Sequence, residues 1–242
     1  MGCSSNAVDT APPTIDPARA ADSPPVAATP SGVVRPLTGE AQAAVFDATT
    51  DSLVILGDSA DAGQSVVTVL AASGAARPVA LAGAATAMAA DGDGRVFLST
   101  KGGYFRFDIA SGSATKIAVE GQEGTDFSAV ARRADGNLVL GSADGTVYTL
   151  ASETTVGAQL KIFARVDSIV TQGDTAVVLD RGQTSVTSLN PEGTKSEQAL
   201  RAGRGATTMT ADAAGRVLVA DTRGGELLVY GVDPLILRQR FP

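Results

Sequence analysis

The sequence contains no histidine, no tryptophan and a single cysteine, Cys3. Without histidine, the chain has no imidazole general base, no Ser-His or Cys-His nucleophile pair and no imidazole metal ligand. One cysteine excludes an intrachain disulfide and leaves the redox compartment undetermined. The absence of tryptophan argues against WD-type repeats, because their signature dipeptide requires one.

Basic residues and long apolar runs are also scarce. The 19 Lys and Arg residues are outnumbered by 26 Asp and Glu residues, so the net charge is −7, and the lysines are scattered. A chain without a basic stripe has nothing to hold a phosphate backbone, so we expect no nucleic-acid binding. No run of about 18 or more apolar residues is present, and therefore no segment is long enough to span a bilayer.

The chain instead contains five copies of one β-rich unit. Runs of β-branched residues between Asp/Gly turns indicate hairpins, and no segment has helical spacing. The second strands of the copies begin 43, 42, 39 and 40 residues apart, close to the ~40–45 residues of a four-stranded propeller blade. The sequence therefore predicts an all-β protein, a β-propeller rather than a sandwich or a parallel β-solenoid. These second strands are Leu53–Leu56, Val96–Ser99, Leu138–Gly141, Val177–Asp180 and Val217–Ala220.

Five four-stranded blades are visible in this pattern. Residues 33–39 resemble the fourth strands of the other units, so we interpret them as a closing strand. The last blade, however, already has a fourth strand at 235–241, and no three-stranded blade is left for residues 33–39 to complete. Within a propeller domain of residues 33–242, we place the blades near residues 44–83, 86–121, 125–165, 166–203 and 205–242.

The number of blades in the complete ring is left open by the sequence. Compact blades of this length more usually close with six or seven blades, so we expect a seven-bladed ring that lacks about two blades on its C-terminal side. Closure with five blades and completion by a second chain are the alternatives. An open arc would expose one apolar blade face at each end.

The N-terminal residues Met1 to Asn6 resemble the end of a bacterial lipobox, in which a small residue precedes the cysteine that becomes acylated. Myristoylation fits less well, because Asn6 stands where that motif requires Ser or Thr, and an ordinary surface cysteine is the third alternative. Acylated Cys3 would attach the chain to the lipid bilayer of a bacterial cell envelope, outside the cytoplasm.

The residues after Cys3 predict a tether. Residues 4–32 contain six of the eleven prolines, mixed with Ala, Ser, Thr and Asp. Such a segment buries too little apolar surface to offset the entropy lost on ordering. We therefore expect residues 1–32 to form a lipobox remnant and a disordered tether ahead of the propeller domain.

One rim of the predicted propeller is the best candidate for a binding face. The turns that follow each second strand and the connections that lead into each first strand should lie on the same rim, and loops on a rigid scaffold often carry function. The charged residues of this rim also fit an ordinary solvated surface. They are Lys101, Asp126, Arg165, Asp167, Asp180, Arg181, Arg204, Asp221 and Arg223.

The sequence predicts no catalytic residue, metal ligand or cofactor site. Propeller enzymes often use acidic residues on the innermost strands, but here those strands carry small, hydroxylic or apolar side chains, as at Thr86–Ala89 and Thr207–Thr210. Asp91–Gly94 resembles part of a calcium loop but lacks the glutamate of the twelfth position, and a turn explains the same residues.

We therefore expect a binding or assembly scaffold for another envelope component, a protein or a glycan. The alternative is an enzyme that acts on a sugar or lactone, similar to a lactonase or a quinone-dependent dehydrogenase, with its catalytic residues in the missing blades.

Two resemblances accompany these patterns. Asp212–Asp221 reads Asp-x-x-Gly-Arg-Val-x-Val-Ala-Asp, which is similar to NHL and YVTN-type propeller repeats. The whole chain resembles the LppL-type lipoproteins of mycobacteria, which carry a signal peptide ahead of the cysteine and continue past the position of Pro242. This resemblance implies an envelope location and a propeller, and it implies no activity and no catalytic residues. It is found at Gly2–Asn6, Gly102–Phe105, Leu138–Gly145, Val178–Val186, Ala220–Gly225 and Val232–Arg238.

Overall fold

The structure, a computed structural model, describes residues 13–20, 22, 25–29, 31–32, 34–35, 37, 39–72, 74 and 76–242. Over these residues the chain is all β, with twenty strands in five antiparallel sheets of four and no helix. Accordingly, this part of the chain has no helical segment of the length and apolarity needed to cross a bilayer.

Each blade contains four strands, numbered here in chain order. Blade 1 consists of β1 (Ala41–Asp47), β2 (Ser52–Asp58), β3 (Ser65–Ala71) and β4 (Arg77–Ala80). Blade 2 consists of β5 (Met88–Ala90), β6 (Arg95–Thr100), β7 (Gly103–Asp108) and β8 (Ser113–Ala118). Blade 3 consists of β9 (Phe127–Arg132), β10 (Leu138–Ser142), β11 (Thr146–Leu150) and β12 (Val156–Lys161). Blade 4 consists of β13 (Ser168–Gln172), β14 (Thr175–Asp180), β15 (Ser185–Leu189) and β16 (Ser196–Arg201). Blade 5 consists of β17 (Ala206–Ala211), β18 (Arg216–Asp221), β19 (Glu226–Val232) and β20 (Leu235–Phe241).

The blades follow one another in chain order about a common axis. Within each blade, consecutive strands are antiparallel neighbours. The first strands contact in succession, β1 with β5, β5 with β9, β9 with β13 and β13 with β17, which makes them the innermost strands. The prediction of a β-propeller with five four-stranded blades is confirmed. The structure has five blades, and the two further blades of a seven-bladed ring are not shown.

The hydrophobic core lies between consecutive blades. In β6, for example, Val96 and Leu98 pack against Val54 and Leu56 of blade 1, whereas Phe97 points to blade 3. Equivalent clusters fill the interfaces between blades 3 and 4 and between blades 4 and 5. A strand that is buried on both faces needs apolar residues at consecutive positions, and this explains the continuous apolar runs of the second strands.

The outer faces of the first and last blades are more exposed. On blade 1, the cross-strand pair Phe46 and Leu53 is 60% and 37% exposed on the face opposite blade 2. On blade 5, the pair Leu227 and Phe241 is 37% and 48% exposed on the face opposite blade 4. Among the described residues, none of the four core clusters joins blade 5 to blade 1. These two pairs are therefore apolar surface that the interblade cores leave uncovered.

The predicted second strand of blade 4 is shifted by one residue. Asp180 pairs with Ser185 across the turn after β14, and Asp221 pairs with Glu226 across the equivalent turn after β18. When the two turns are aligned, the residue of blade 4 at the position equivalent to Val217 of blade 5 is Ala176, and not Val177 as predicted. The other four second strands align as predicted on β2, β6, β10 and β18.

The predicted closing strand is only partly described. Of residues 33–39, Val33, Pro36 and Thr38 lie outside the described residues, and the others are not in a strand. The Arg35 guanidinium donates hydrogen bonds of 2.8 Å to the carbonyls of Ala71 and Ala72 at the end of β3. The closing strand and the domain boundaries stay predictions.

Candidate functional site

The turns after each second strand and the connections into each first strand form one face of the propeller, which we call the upper rim. All nine charged residues of the predicted binding face lie on it, in three groups. Lys101 and Asp126 form an antiparallel bridge between blades 2 and 3. The second group, on blade 4, is Arg165, Asp167, Asp180 and Arg181; the third, on blade 5, is Arg204, Asp221 and Arg223.

Asp221 is a buried structural carboxylate. Its Oδ1 accepts hydrogen bonds from the backbone N–H groups of Gly205 (2.8 Å) and Gly224 (3.0 Å). Its Oδ2 accepts one from the backbone N–H of Arg204 (2.8 Å). Burial alone would raise the pKa of Asp221, but these backbone hydrogen bonds outweigh it and hold the pKa below its usual range. Gly203 has a φ of 80°, and a Cβ there would collide with this carboxylate. Asp221 therefore joins the connection into β17 to the turn after β18.

Asp180 makes the same arrangement one blade earlier. Its Oδ2 accepts hydrogen bonds from the N–H groups of Ala164 (2.8 Å) and Arg165 (3.3 Å), and its Oδ1 accepts one from Gln183 (2.9 Å). The residue is fully buried. Neither Asp180 nor Asp221 is directed toward a ligand, because the backbone uses both carboxylate oxygens.

Asp167 is also engaged within blade 4. It accepts the N–H of Arg181 at 2.8 Å and forms an ion pair with the Arg165 guanidinium at 3.3 Å. Burial raises the pKa of Asp167. The hydrogen bond from Arg181 and the charge of Arg165 lower it, but the effect of burial is larger. The cations lie further out, since Lys101, Arg165, Arg204 and Arg223 are exposed. The outermost groups of the upper rim on blades 4 and 5 are thus arginines.

Residues 13–19, which we call the strap, lie against the upper rim of blades 4 and 5. The N–H of Ile15 donates to the carbonyl of Gly182 at 2.8 Å. The Arg181 guanidinium donates to the carbonyl of Ala18, and the Arg223 guanidinium donates to the carbonyl of Asp16 at 3.2 Å. Sequence reasoning missed this contact because the strap lies inside the Pro-rich tether. The Ile15 side chain gave no signal for this contact, because it is exposed and the hydrogen bonds to the rim are made by backbone groups.

Two depressions lie on blades 4 and 5, one on each rim. One of about 340 Å³ opens on the upper rim next to Asp221. Arg201 on its wall donates to the hydroxyl of Thr184 at 2.6 Å, and Arg240 pairs with Glu226 at 3.2 Å. A larger depression of about 550 Å³ lies on the opposite rim, between the turns of blades 4 and 5.

The remaining predicted site is Cys3, which lies outside the described residues, so the structure does not place it. Over the part of the chain that is described, no three His, Cys, Asp or Glu side chains are grouped closely enough to hold a metal ion.

Three solved structures illustrate what the chain is similar to, each at 13% sequence identity. A protein of unknown function from Bacteroides caccae aligns over 79% of this chain and 73% of its own length, with a TM-score of 0.55. A chain of the mitotic checkpoint complex aligns over 82% of this chain and 66% of its own length, with a TM-score of 0.65. A chain of the nidogen/laminin complex aligns over 82% of this chain and 78% of its own length, with a TM-score of 0.63.

These similarities bear on the fold alone, because the identity is low. No protein-family model and no curated protein matches the sequence. The resemblance to LppL-type lipoproteins and to NHL or YVTN repeats therefore stays a prediction, and what the chain shares with the solved structures is the β-propeller fold.

Proposed function

We propose that the chain is a binding scaffold of the bacterial cell envelope, attached to the membrane through acylated Cys3 and holding another envelope component on its upper rim. The partner is a protein or a glycan that presents acceptor oxygens. The observation that carries the proposal is the arrangement of charge on the rim. Asp180 and Asp221 are buried under backbone hydrogen bonds, while arginines extend outward beside them.

This arrangement supports binding for two physical reasons. First, the turns that carry Arg181 and Arg223 are held by buried carboxylates, so the guanidinium groups start from a fixed backbone and less entropy is lost when they bind. Second, guanidinium groups are rigid multiple donors that suit carbonyl, carboxylate and phosphate oxygens. The rim has five cations and four aspartates, but Asp180 and Asp221 are buried, so guanidinium groups are more accessible to a partner than these two carboxylates.

The attachment to a membrane is supported by the sequence. The Gly2-Cys3 motif is followed by a Pro-rich stretch and then by the propeller domain. A tether of this composition would hold the propeller domain at a distance from the lipid surface.

Membrane fractionation tests the attachment. The chain is expressed behind a bacterial lipoprotein signal peptide that ends at Gly2, and Cys3→Ala is compared with the matched control Ser5→Ala. We expect the Ser5→Ala protein to remain in the membrane fraction and the Cys3→Ala protein to become soluble. Equal membrane association of the two variants would contradict the proposed anchor.

Site-specific photocrosslinking in cells tests the binding face. A photoreactive residue at Arg204 on the upper rim is compared with one at Arg95, which is exposed on the opposite rim. We expect a defined crosslinked partner from position 204 and none from position 95. Identical crosslinking patterns from the two positions would contradict a rim-specific function.

A further inference from the structure

The strap is held on the upper rim almost entirely through its backbone. Three strap groups take part in hydrogen bonds: the N–H of Ile15 and the carbonyls of Asp16 and Ala18. The side chains of Ile15, Asp16 and Arg19 are exposed. Recognition through backbone groups places little demand on sequence, so most strap side chains are replaceable without loss of these contacts.

Position 18 is the exception. Ala18 is only 5% exposed and packs on Gly205 at the start of blade 5. A Cβ added at Gly205 would lie 2.8 Å from the Cβ of Ala18 and 2.8 Å from the Cβ of Arg223. Ala18 is thus buried with Gly205 close beside it, and we expect a side chain larger than a methyl group not to fit at this position. Residue 18 is the strap position whose side chain is buried against the rim.

The strap also accepts hydrogen bonds from two arginines of the rim that the proposed function assigns to a partner. Arg181 and Arg223 each donate to a strap carbonyl, and Gly182 accepts from a strap N–H. Three hydrogen bonds and one buried methyl group must offset the ordering of seven residues, so the contact is readily displaced. A second extended segment with the same backbone pattern would find the same donors and acceptor.

We propose that the upper rim of blades 4 and 5 is a binding site for an extended peptide segment with a small residue three positions after the one whose N–H donates to Gly182, and that the strap occupies this site in cis until a partner segment displaces it. The inference rests on the proposed function for the existence of a partner, and it makes that partner a protein. The site recognises one strap N–H, two carbonyls and a methyl-sized side chain.

Binding of a fluorescently labelled peptide, PTIDPARA (residues 13–20), to the full chain tests the proposal. In the wild-type chain the strap occupies the site. Because the strap is covalently attached, its effective concentration at the site is high, and the free peptide should therefore bind weakly. Ala18→Leu does not fit against Gly205 and releases the strap, so we expect this variant to bind the peptide about tenfold or more tightly than wild type does. Ala20→Leu is the matched control, because Ala20 is exposed, and it should behave as wild type.

Three further measurements test the binding site and the strap. Adding Arg181→Ala and Arg223→Ala to the Ala18→Leu chain should abolish peptide binding, whereas adding Arg95→Ala, at an exposed position on the opposite rim, should not. A peptide with leucine in place of the alanine of position 18 should not bind. Hydrogen exchange reports on the strap directly, since the Ile15 amide should be protected in wild type and unprotected in Ala18→Leu.

Several outcomes would overturn the inference: equal peptide binding by wild type and Ala18→Leu, a gain of the same size in Ala20→Leu, or an unprotected Ile15 amide in wild type. None of these results depends on Cys3 or on a crosslink from position 204. The proposed function and this inference can therefore fail separately.

Discussion

Asp221→Asn is the substitution that most directly tests how the upper rim is built. The carboxylate accepts three backbone N–H groups, two at Oδ1 and one at Oδ2, at 2.8 to 3.0 Å. Asparagine keeps one carbonyl oxygen and presents an NH₂ group in place of the other oxygen. If its oxygen stays with Gly205 and Gly224, the N–H of Arg204 faces a donor and loses its partner.

The magnitude follows from this geometry. A hydrogen bond to a charged group contributes about 1.5–3 kcal/mol, so Asp221→Asn should lower the free energy of unfolding by about 2 kcal/mol. Asp221→Ala removes all three acceptor contacts and should cost about 4 kcal/mol. For a domain of this size, about 1 kcal/mol corresponds to about 2–4 °C in Tm, so the Asn variant should melt about 4–8 °C lower.

Urea unfolding measures the effect, with tyrosine fluorescence as the signal because the chain has three tyrosines and no tryptophan. Asp93→Asn, at an exposed turn position, is the matched control and should unfold as wild type does. A wild-type midpoint for Asp221→Asn at neutral pH would refute the structural role of this carboxylate.

The pH dependence gives an independent check. The pKa of Asp221 is lowered in the folded state, so its contribution is complete above the ordinary value of about 3.9 and is lost as the pH falls through the lowered folded value. The difference in stability between wild type and Asp221→Asn should therefore shrink below about pH 4. A difference that stays constant from pH 7 to pH 3 would show that the charge of Asp221 is not involved.

Three further predictions follow from burial and hydrogen bonding. Phe107 is fully buried between blades 1 and 2 whereas Phe46 is mostly exposed, so Phe107→Ala should cost about 3–5 kcal/mol and Phe46→Ala less than about 1 kcal/mol in urea unfolding. Burial raises the pKa of Tyr230 to about 12, so a difference titration against Tyr230→Phe should detect no phenolate from this residue at pH 10, and its contribution to stability should be lost as the pH rises from about 10 to about 12. The hydrogen bond from the Ser142 hydroxyl lowers the pKa of Asp144 to about 2, so Ser142→Ala should move its carboxyl titration, followed by NMR, back toward about 3.9; an unchanged midpoint would exclude Ser142 as the cause.

The propeller could be predicted because burial on both faces leaves a strong repeated signal. Each second strand packs against two neighbouring blades, so apolar residues recur in blocks about 40 residues apart. Because both faces of a second strand are apolar, the sequence does not show which residues point to which neighbouring blade. A shift of one residue exchanges the two faces of a strand, and in β14 both faces are apolar, so Ala176 and Val177 fit the repeat equally well.

For the upper rim, the sequence predicted which residues lie on it but not what each of them does. Strand direction alone places Asp180, Asp221 and their neighbouring arginines on the same face of the propeller. Their roles could not be predicted, because an exposed aspartate and an aspartate that accepts three backbone N–H groups have the same sequence signature. The strap was missed for a related reason, since its contacts with Arg181 and Arg223 are made through carbonyls that every residue has.

The structural carboxylates and the two arginines that contact the strap, Arg181 and Arg223, belong to the same turns of blades 4 and 5. Asp180 holds the N–H of Gln183, and Asp221 holds the N–H of Gly224, each across the turn that carries Arg181 or Arg223. The backbone that supports each guanidinium is therefore fixed by a carboxylate whose hydrogen bonds go to the rim and not to the strap. If this coupling is real, Asp221→Asn should weaken peptide binding in the Ala18→Leu chain even under conditions where the propeller remains folded. Loss of stability without loss of peptide binding would instead separate the two roles, and it would mean that the arginines reach their positions without help from the buried carboxylates.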